Sequence, residues 1–125
     1  MIITLLFLLF TKHLIFDFFL QNEFQWKNKG NIKHIGGYVH AGLAAFGTFL
    51  SFLCLSLFYH FEWTWIIGIL LIGEFVAHYI IDYFKMNINK RMNWLCNQNP
   101  EFWYLLGIDQ YLHMLTYLII IWIII

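Results

Sequence analysis

Charge is scarce in this sequence. Asp, Glu, Lys and Arg make up only 11% of the 125 residues, against 62% hydrophobic and 22% aromatic. That leaves too little polar surface to cover a soluble globule and puts the chain in the membrane class, as one domain by length. Seven basic residues face seven acidic ones, so the net positive charge that nucleic-acid binding exploits is missing, and nucleic acid is not an expected partner. Cysteine is equally sparse. Cys54 lies in an apolar stretch and Cys96 in a polar one; no disulfide or metal spacing connects them, and both read as free thiols. The first apolar segment has no basic residues before it and no small-residue cleavage site after it, so it reads as a retained span and not as a signal peptide.

What is abundant is apolar length. Four stretches, near 2–22, 36–59, 63–86 and 102–125, each reach the roughly 20 residues that a helix needs to cross a bilayer. The first link, from Asn22 to Ile35, carries Lys27, Lys29, Lys33 and His34; the second is His60, Phe61 and Glu62; the third, Asn87 to Glu101, carries Lys90 and Arg91. By the positive-inside rule the first and third links are cytoplasmic and both termini lie outside. Trp26, Trp63, Trp65, Trp94, Trp103 and Trp122 fall at or just beyond span ends, where an aromatic belt sits. The single proline, Pro100, follows Asn99 and marks the start of the last helix. Ile88 to Leu95 reads as a short basic helix in the interface. The second span has a small-residue surface, Gly36, Gly37, Ala41, Gly42, Ala44, Ala45 and Gly47, which lets helix backbones approach closely in a membrane. The expected fold is all-α: an integral membrane four-helix bundle with short loops, multi-pass in the cytoplasmic (inner) membrane.

The scarce ionisable residues are not scattered. In the third span Glu74, His78 and Asp82 recur every four residues, with Lys85 three further on, so they form one stripe on a helix that is otherwise Ile, Leu, Phe and Tyr. In lipid a central Asp or Lys costs roughly 2.5 to 3.5 kcal/mol on insertion scales, so the stripe must face protein, water or an ion. The first span has a matching stripe, His13, Asp17 and Gln21, with Lys12 beside it; the second has His40; the fourth has Asp109, Gln110 and His113, with Tyr117 one turn beyond. Counting about 1.5 Å of rise per residue puts His13, Glu74 and His113 near the bilayer centre, Asp17, His40, His78 and Asp109 roughly 6 to 10 Å toward the cytoplasm, and Gln21 and Asp82 about 12 to 13 Å that way. Residues at shared depths on four helices predict a polar chamber in the inner half of the bundle, open or nearly open to the cytoplasm.

Imidazole and carboxylate together suit Zn²⁺ or another first-row divalent ion, and partners four residues apart can chelate from adjacent turns. The pairs His13/Asp17, Glu74/His78, His78/Asp82 and Asp109/His113 have that spacing. The candidate metal ligands are therefore His13, His40, His78, Asp82, Asp109 and His113, with Asp17 and Glu74 as candidate catalytic carboxylates, Glu74 as general base. Each residue also has a plainer reading. His40 alone is a hydrogen-bonded packing residue, Lys85 an interfacial lysine that snorkels or pairs with Asp82, and Tyr117 a packing residue. His34 and His60 are solvated loop residues. Lys12, near mid-span, needs a salt bridge to Glu74 or Asp109, and a salt-bridged network without metal would account for the whole set.

The segments H-L-I-F-D-F-F-L-Q (His13 to Gln21), the following Trp26 and Lys29, His40 in its small-residue helix, H-Y-I-I-D-Y-F-K (His78 to Lys85) and D-Q-Y-L-H (Asp109 to His113) together resemble a family of small prokaryotic and phage membrane proteins, domain of unknown function three-three-zero-seven. The resemblance covers nearly the whole chain. It implies a polytopic membrane domain with signature residues His13, Asp17, Gln21, His40, His78, Asp82, Lys85, Asp109, Gln110 and His113, and no established activity. Glu74 is not carried by it. The texture is also similar to families labelled membrane-bound metal-dependent hydrolases, which supports a metal by analogy only.

Two functions of different class follow. The first is a metal-dependent hydrolase in the bilayer acting on an amphiphilic or lipid-linked substrate. The second is a small proton- or cation-coupled transporter or channel using the same residues. Ser51 to Tyr59 and Leu118 to Ile125 are almost wholly apolar, which favours a one-sided site; a homo-oligomer, with a pore between copies, stays open as an alternative.

Overall fold

The computed structural model describes residues 1–60 and 63–124. Phe61 and Glu62 of the expected second link, and Ile125 at the end of the last expected span, lie outside them. Every regular element among the described residues is helical: α1 (Ile2–Leu14), a π-helical turn (Ile15–Phe19), the short α2 (Glu23–Trp26), α3 (Ile35–Phe58), α4 (Trp65–Met92) and α5 (Pro100–Ile124). Four helical stretches, Ile2–Phe19 and the whole of α3, α4 and α5, are long and apolar enough to cross a membrane. They form a ring in which α1 packs on α3, α3 on α4, α4 on α5 and α5 back on α1.

Local chemistry explains the ends. The Asn22 side chain accepts from the Gln25 backbone N–H at 3.1 Å and starts α2. The His34 ring accepts from the Gly36 N–H at 3.0 Å and caps α3, so this histidine, expected to be a solvated loop residue, has a structural task. Pro100 opens α5, where its missing N–H costs nothing. The largest departure from expectation is at the end of α4, which runs on through Met92, so Ile88 to Met92 form no separate interfacial helix. It stops at Asn93, whose left-handed φ of 55° closes the helix with Lys90 and Arg91 in the last turn.

Two glycines seat the first link. A Cβ on Gly36 would run into the Phe24 carbonyl, and one on Gly37 would lie 3.3 Å from Lys29 Cα and 3.1 Å from the Tyr79 ring. Their bareness lets α2 and the turn after it lie flat on α3, which turns Gln25 and Lys29 inward until both are buried.

The interior divides along its length. At the end holding the two termini it is apolar, with Leu5, Leu9, Phe52, Leu55, Ile67, Leu70, Ile120 and Ile121 packed together. Toward the loops at 20–34 and 93–99 it becomes ionisable: Lys12, His13, Asp17, Lys29, His40, Glu74, His78, Asp82, Asp109 and His113 are all buried. Outward-facing positions are large and apolar, among them Phe7, Leu57, Ile72, Phe84, Ile108 and Ile119, as lipid-facing positions are.

Candidate metal centre

The turn that carries Asp17 departs from α-helical spacing. The Leu20 N–H reaches the Ile15 carbonyl, five residues back, at 2.9 Å, a widening that is frequent at functional sites. It delivers Asp17 to the second and third spans. Asp17 Oδ1 lies 3.3 Å from His40 Nε2 and 3.4 Å from His78 Nε2. Asp82 Oδ2, one turn beyond His78, lies 3.3 and 3.4 Å from the same two nitrogens, which are 2.9 Å apart. Donors held at roughly 2.0 to 2.2 Å around one ion lie roughly 2.8 to 3.6 Å from each other at tetrahedral or adjacent octahedral positions. The observed spacings fall in that window. They are too long for hydrogen bonds of good geometry between imidazole and carboxylate. Asp17 Oδ1 is buried with no hydrogen-bond partner, a rare condition for a native polar group and one that an ion would relieve, whereas Asp82 Oδ2 also has the Lys29 ammonium at 2.9 Å.

Around these four donors the site continues. Asp82, Asp109 and His113 converge within 4.8 Å, as do His13, His78 and His113. The imidazoles follow one another, with ring centroids 4.9 Å apart for His40 and His78, 4.3 Å for His78 and His113, and 5.0 Å for His13 and His113. His113 Nε2 is buried without a hydrogen-bond partner and lies 3.7 Å from Asp109 Oδ1.

His13 is held differently. Its Nε2 is 2.9 Å from Gln110 Oε1, and the Gln110 amide is oriented by its own N–H, which donates to Asp109 Oδ2 at 3.0 Å. An amide oxygen only accepts, so His13 Nε2 carries the proton and Nδ1 accepts from the Tyr117 hydroxyl at 3.0 Å. Both ring nitrogens of His13 are thus engaged by side chains of α5. Tyr117, expected only to pack, is the other end of that chain.

Three lysines balance the carboxylates. Lys12 pairs with Glu74 and also donates to the Ala44 carbonyl at 3.1 Å. That resolves the choice of partner for Lys12 and sets Glu74, expected as general base, against a lysine; Glu74 belongs to none of the three converging donor groups among the described residues. Lys85 does not snorkel. It turns in to Asp109 at 3.0 Å and Asp82 at 3.5 Å. Lys29 reaches Asp82 Oδ2 at 2.9 Å. Lys29 lies in the first link, and the paired glycines that open α3, Gly36 and Gly37, are the signal in the sequence that this link folds inward.

The site faces a cavity of about 540 Å³ lined by Asp17, Lys29, Lys85 and Gln110 on its inner side and by Trp26, Trp94 and Phe102 toward the loops. Fold and site thus define a class: a helical bundle of four membrane-length helices around a buried histidine–carboxylate cluster. The chain belongs to the family described as "Protein of unknown function (DUF3307)", which matches residues 5–125. No curated protein and no solved structure matches it.

Proposed function

We propose that the chain is a multi-pass protein of the cytoplasmic membrane, both termini outside, that binds one divalent metal ion, Zn²⁺ or another first-row ion, and hydrolyses an amphiphilic or lipid-linked substrate. One observation carries this reading: Asp17, His40 and His78 bring three buried donors within 4.8 Å of one another, with Asp82 Oδ2 3.3 and 3.4 Å from the same two imidazole nitrogens and Asp17 Oδ1 free of hydrogen bonds. A divalent ion there would supply Lewis acidity and a water of lowered pKa. In this reading His113, backed by Asp109, takes the proton of the attacking water and returns it to the leaving group; His13, Gln110 and Tyr117 hold the pair in place. Asp17 is then a ligand, and Glu74 the counter-charge of Lys12. What supports a one-sided site over a through-pathway is the apolar half of the interior, where, among the described residues, no ionisable group joins the buried cluster but Tyr117 at its inner edge.

The test uses the metal-loaded protein in liposomes made from a total bacterial lipid extract, with mass spectrometry of the released water-soluble products. The expected outcome is headgroup release by the wild type that stops on chelation and is absent in His40→Ala/His78→Ala. Cation or proton uptake by the same liposomes with no product formed would replace the hydrolase with a carrier.

A further inference from the structure

A second cavity, of about 280 Å³, lies between α4 and α5 on the outer surface of the bundle. Its walls are Ile80, Phe84, Ile108 and Leu112, all well exposed, and on a membrane-spanning bundle that surface faces acyl chains. At its floor are Lys85 and Asp109. Lys85 also lines the larger cavity that opens on the metal-ligand cluster. One side chain therefore separates an apolar groove on the lipid side from a polar chamber inside.

The charges say what the chamber would hold. Asp17, Glu74, Asp82 and Asp109 face Lys12, Lys29 and Lys85, four carboxylates to three ammonium groups. With neutral imidazoles, one negative charge is in excess, and a divalent ion turns that into one positive charge. It also takes over Asp82, which now engages Lys29 at 2.9 Å and Lys85 at 3.5 Å. The Lys29 ammonium on the cavity wall is then available to an anion, with Lys85, held by Asp109 at 3.0 Å, beside it, and lysine is a common point-charge partner of phosphate. The walls beyond them, Trp26, Trp94, Leu95, Phe102 and Leu106, suit the amphiphilic part of a lipid head region.

We propose that the α4–α5 groove is the lateral access route for a membrane lipid with a phosphate headgroup: its acyl chain lies along Phe84 and Ile108, and its phosphate sits inside against Lys85 and Lys29. This deepens the hydrolase reading, and rests on it for the fate of the headgroup.

Native mass spectrometry of the detergent-purified protein tests it, because one spectrum reports both the bound metal and the bound lipid. The probes are phosphatidate, phosphatidylcholine and butyl phosphate. Wild type is expected to retain phosphatidate over phosphatidylcholine by about tenfold, the size of one charge-assisted hydrogen bond. Lys85→Gln removes the preference and Lys85→Arg keeps it. Ile108→Trp, on the exposed groove wall, is expected to reduce phosphatidate retention while leaving butyl phosphate binding and metal content as in wild type; it carries the test should Lys85→Gln not fold. Equal retention of the two lipids by the wild type, or an Ile108→Trp variant that holds phosphatidate normally, overturns the proposal. Wild type that prefers phosphatidate but carries no metal overturns the metal reading instead and leaves the lipid site standing.

Discussion

The two halves of the bundle are held together on opposite terms. In the apolar half, Leu5, Leu9, Leu55, Ile67 and Ile120 pack in one hydrophobic cluster, and in a bilayer the alternative contact, a lipid tail, is as apolar as the partner helix. Packing alone favours assembly there, and little fixes which helix meets which. In the ionisable half, each helix carries an ionisable group whose partner lies on another: Lys12 of α1 with Glu74 of α4, Asp17 of the π-turn with His40 of α3, Lys85 of α4 with Asp109 of α5. Unpaired, each would be expensive to bury in an apolar interior, so the polar half specifies the bundle while the apolar half fills it.

Breaking one ion pair is the strongest way to test that contrast. Lys12→Met leaves Glu74 buried without its counter-charge, and the expected loss is about 3 to 5 kcal/mol. The double variant Lys12→Met/Glu74→Leu should recover most of it, because a buried pair is often replaceable by hydrocarbon of similar volume. Equilibrium unfolding in mixed micelles measures both; a single variant as stable as wild type would show that the pair specifies nothing. In the apolar half Leu55→Ala should cost about 2 kcal/mol, the low end of the range for soluble cores, since lipid offsets part of the lost contact. Metal content should stay at the wild-type level, and its loss would mean that the two halves are not separable. The smallest effect is expected at the rim. Lys27 and Glu23 form an ion pair at 2.8 Å with both side chains more than half exposed, so Lys27→Gln should change stability by about 0.5 kcal/mol or less.

The contrast also explains what could be read from the sequence. Stripes at four-residue spacing are a property of one helix, and His78/Asp82, His13/Asp17 and Asp109/His113 were legible from spacing and depth alone. Partners across helices were legible only in part. Depth left Lys12 two possible acids, and only the packing of α1 against its neighbours chose Glu74. Asp17 was read from a regular helix, yet it meets His40 from a π-helical turn that no periodicity announces. Lys29 was the least legible of all, since its inward course depends on a loop lying flat against Gly36 and Gly37. The long continuation of α4 was hidden by composition: Asn87 to Met92 are too polar to read as a span, but nothing in them breaks a helix.

The central claim is that Asp17, His40, His78 and Asp82 hold a divalent ion. Elemental mass spectrometry of the detergent-purified protein, beside a His40→Ala/His78→Ala variant, tests it most directly. The account predicts about one equivalent of Zn²⁺ or another first-row divalent ion in the wild type, as a four-donor site requires, and none in a variant that elutes as a folded species. A folded wild type that carries no metal and takes up none on addition would contradict it, and would leave the cluster as a salt-bridged core.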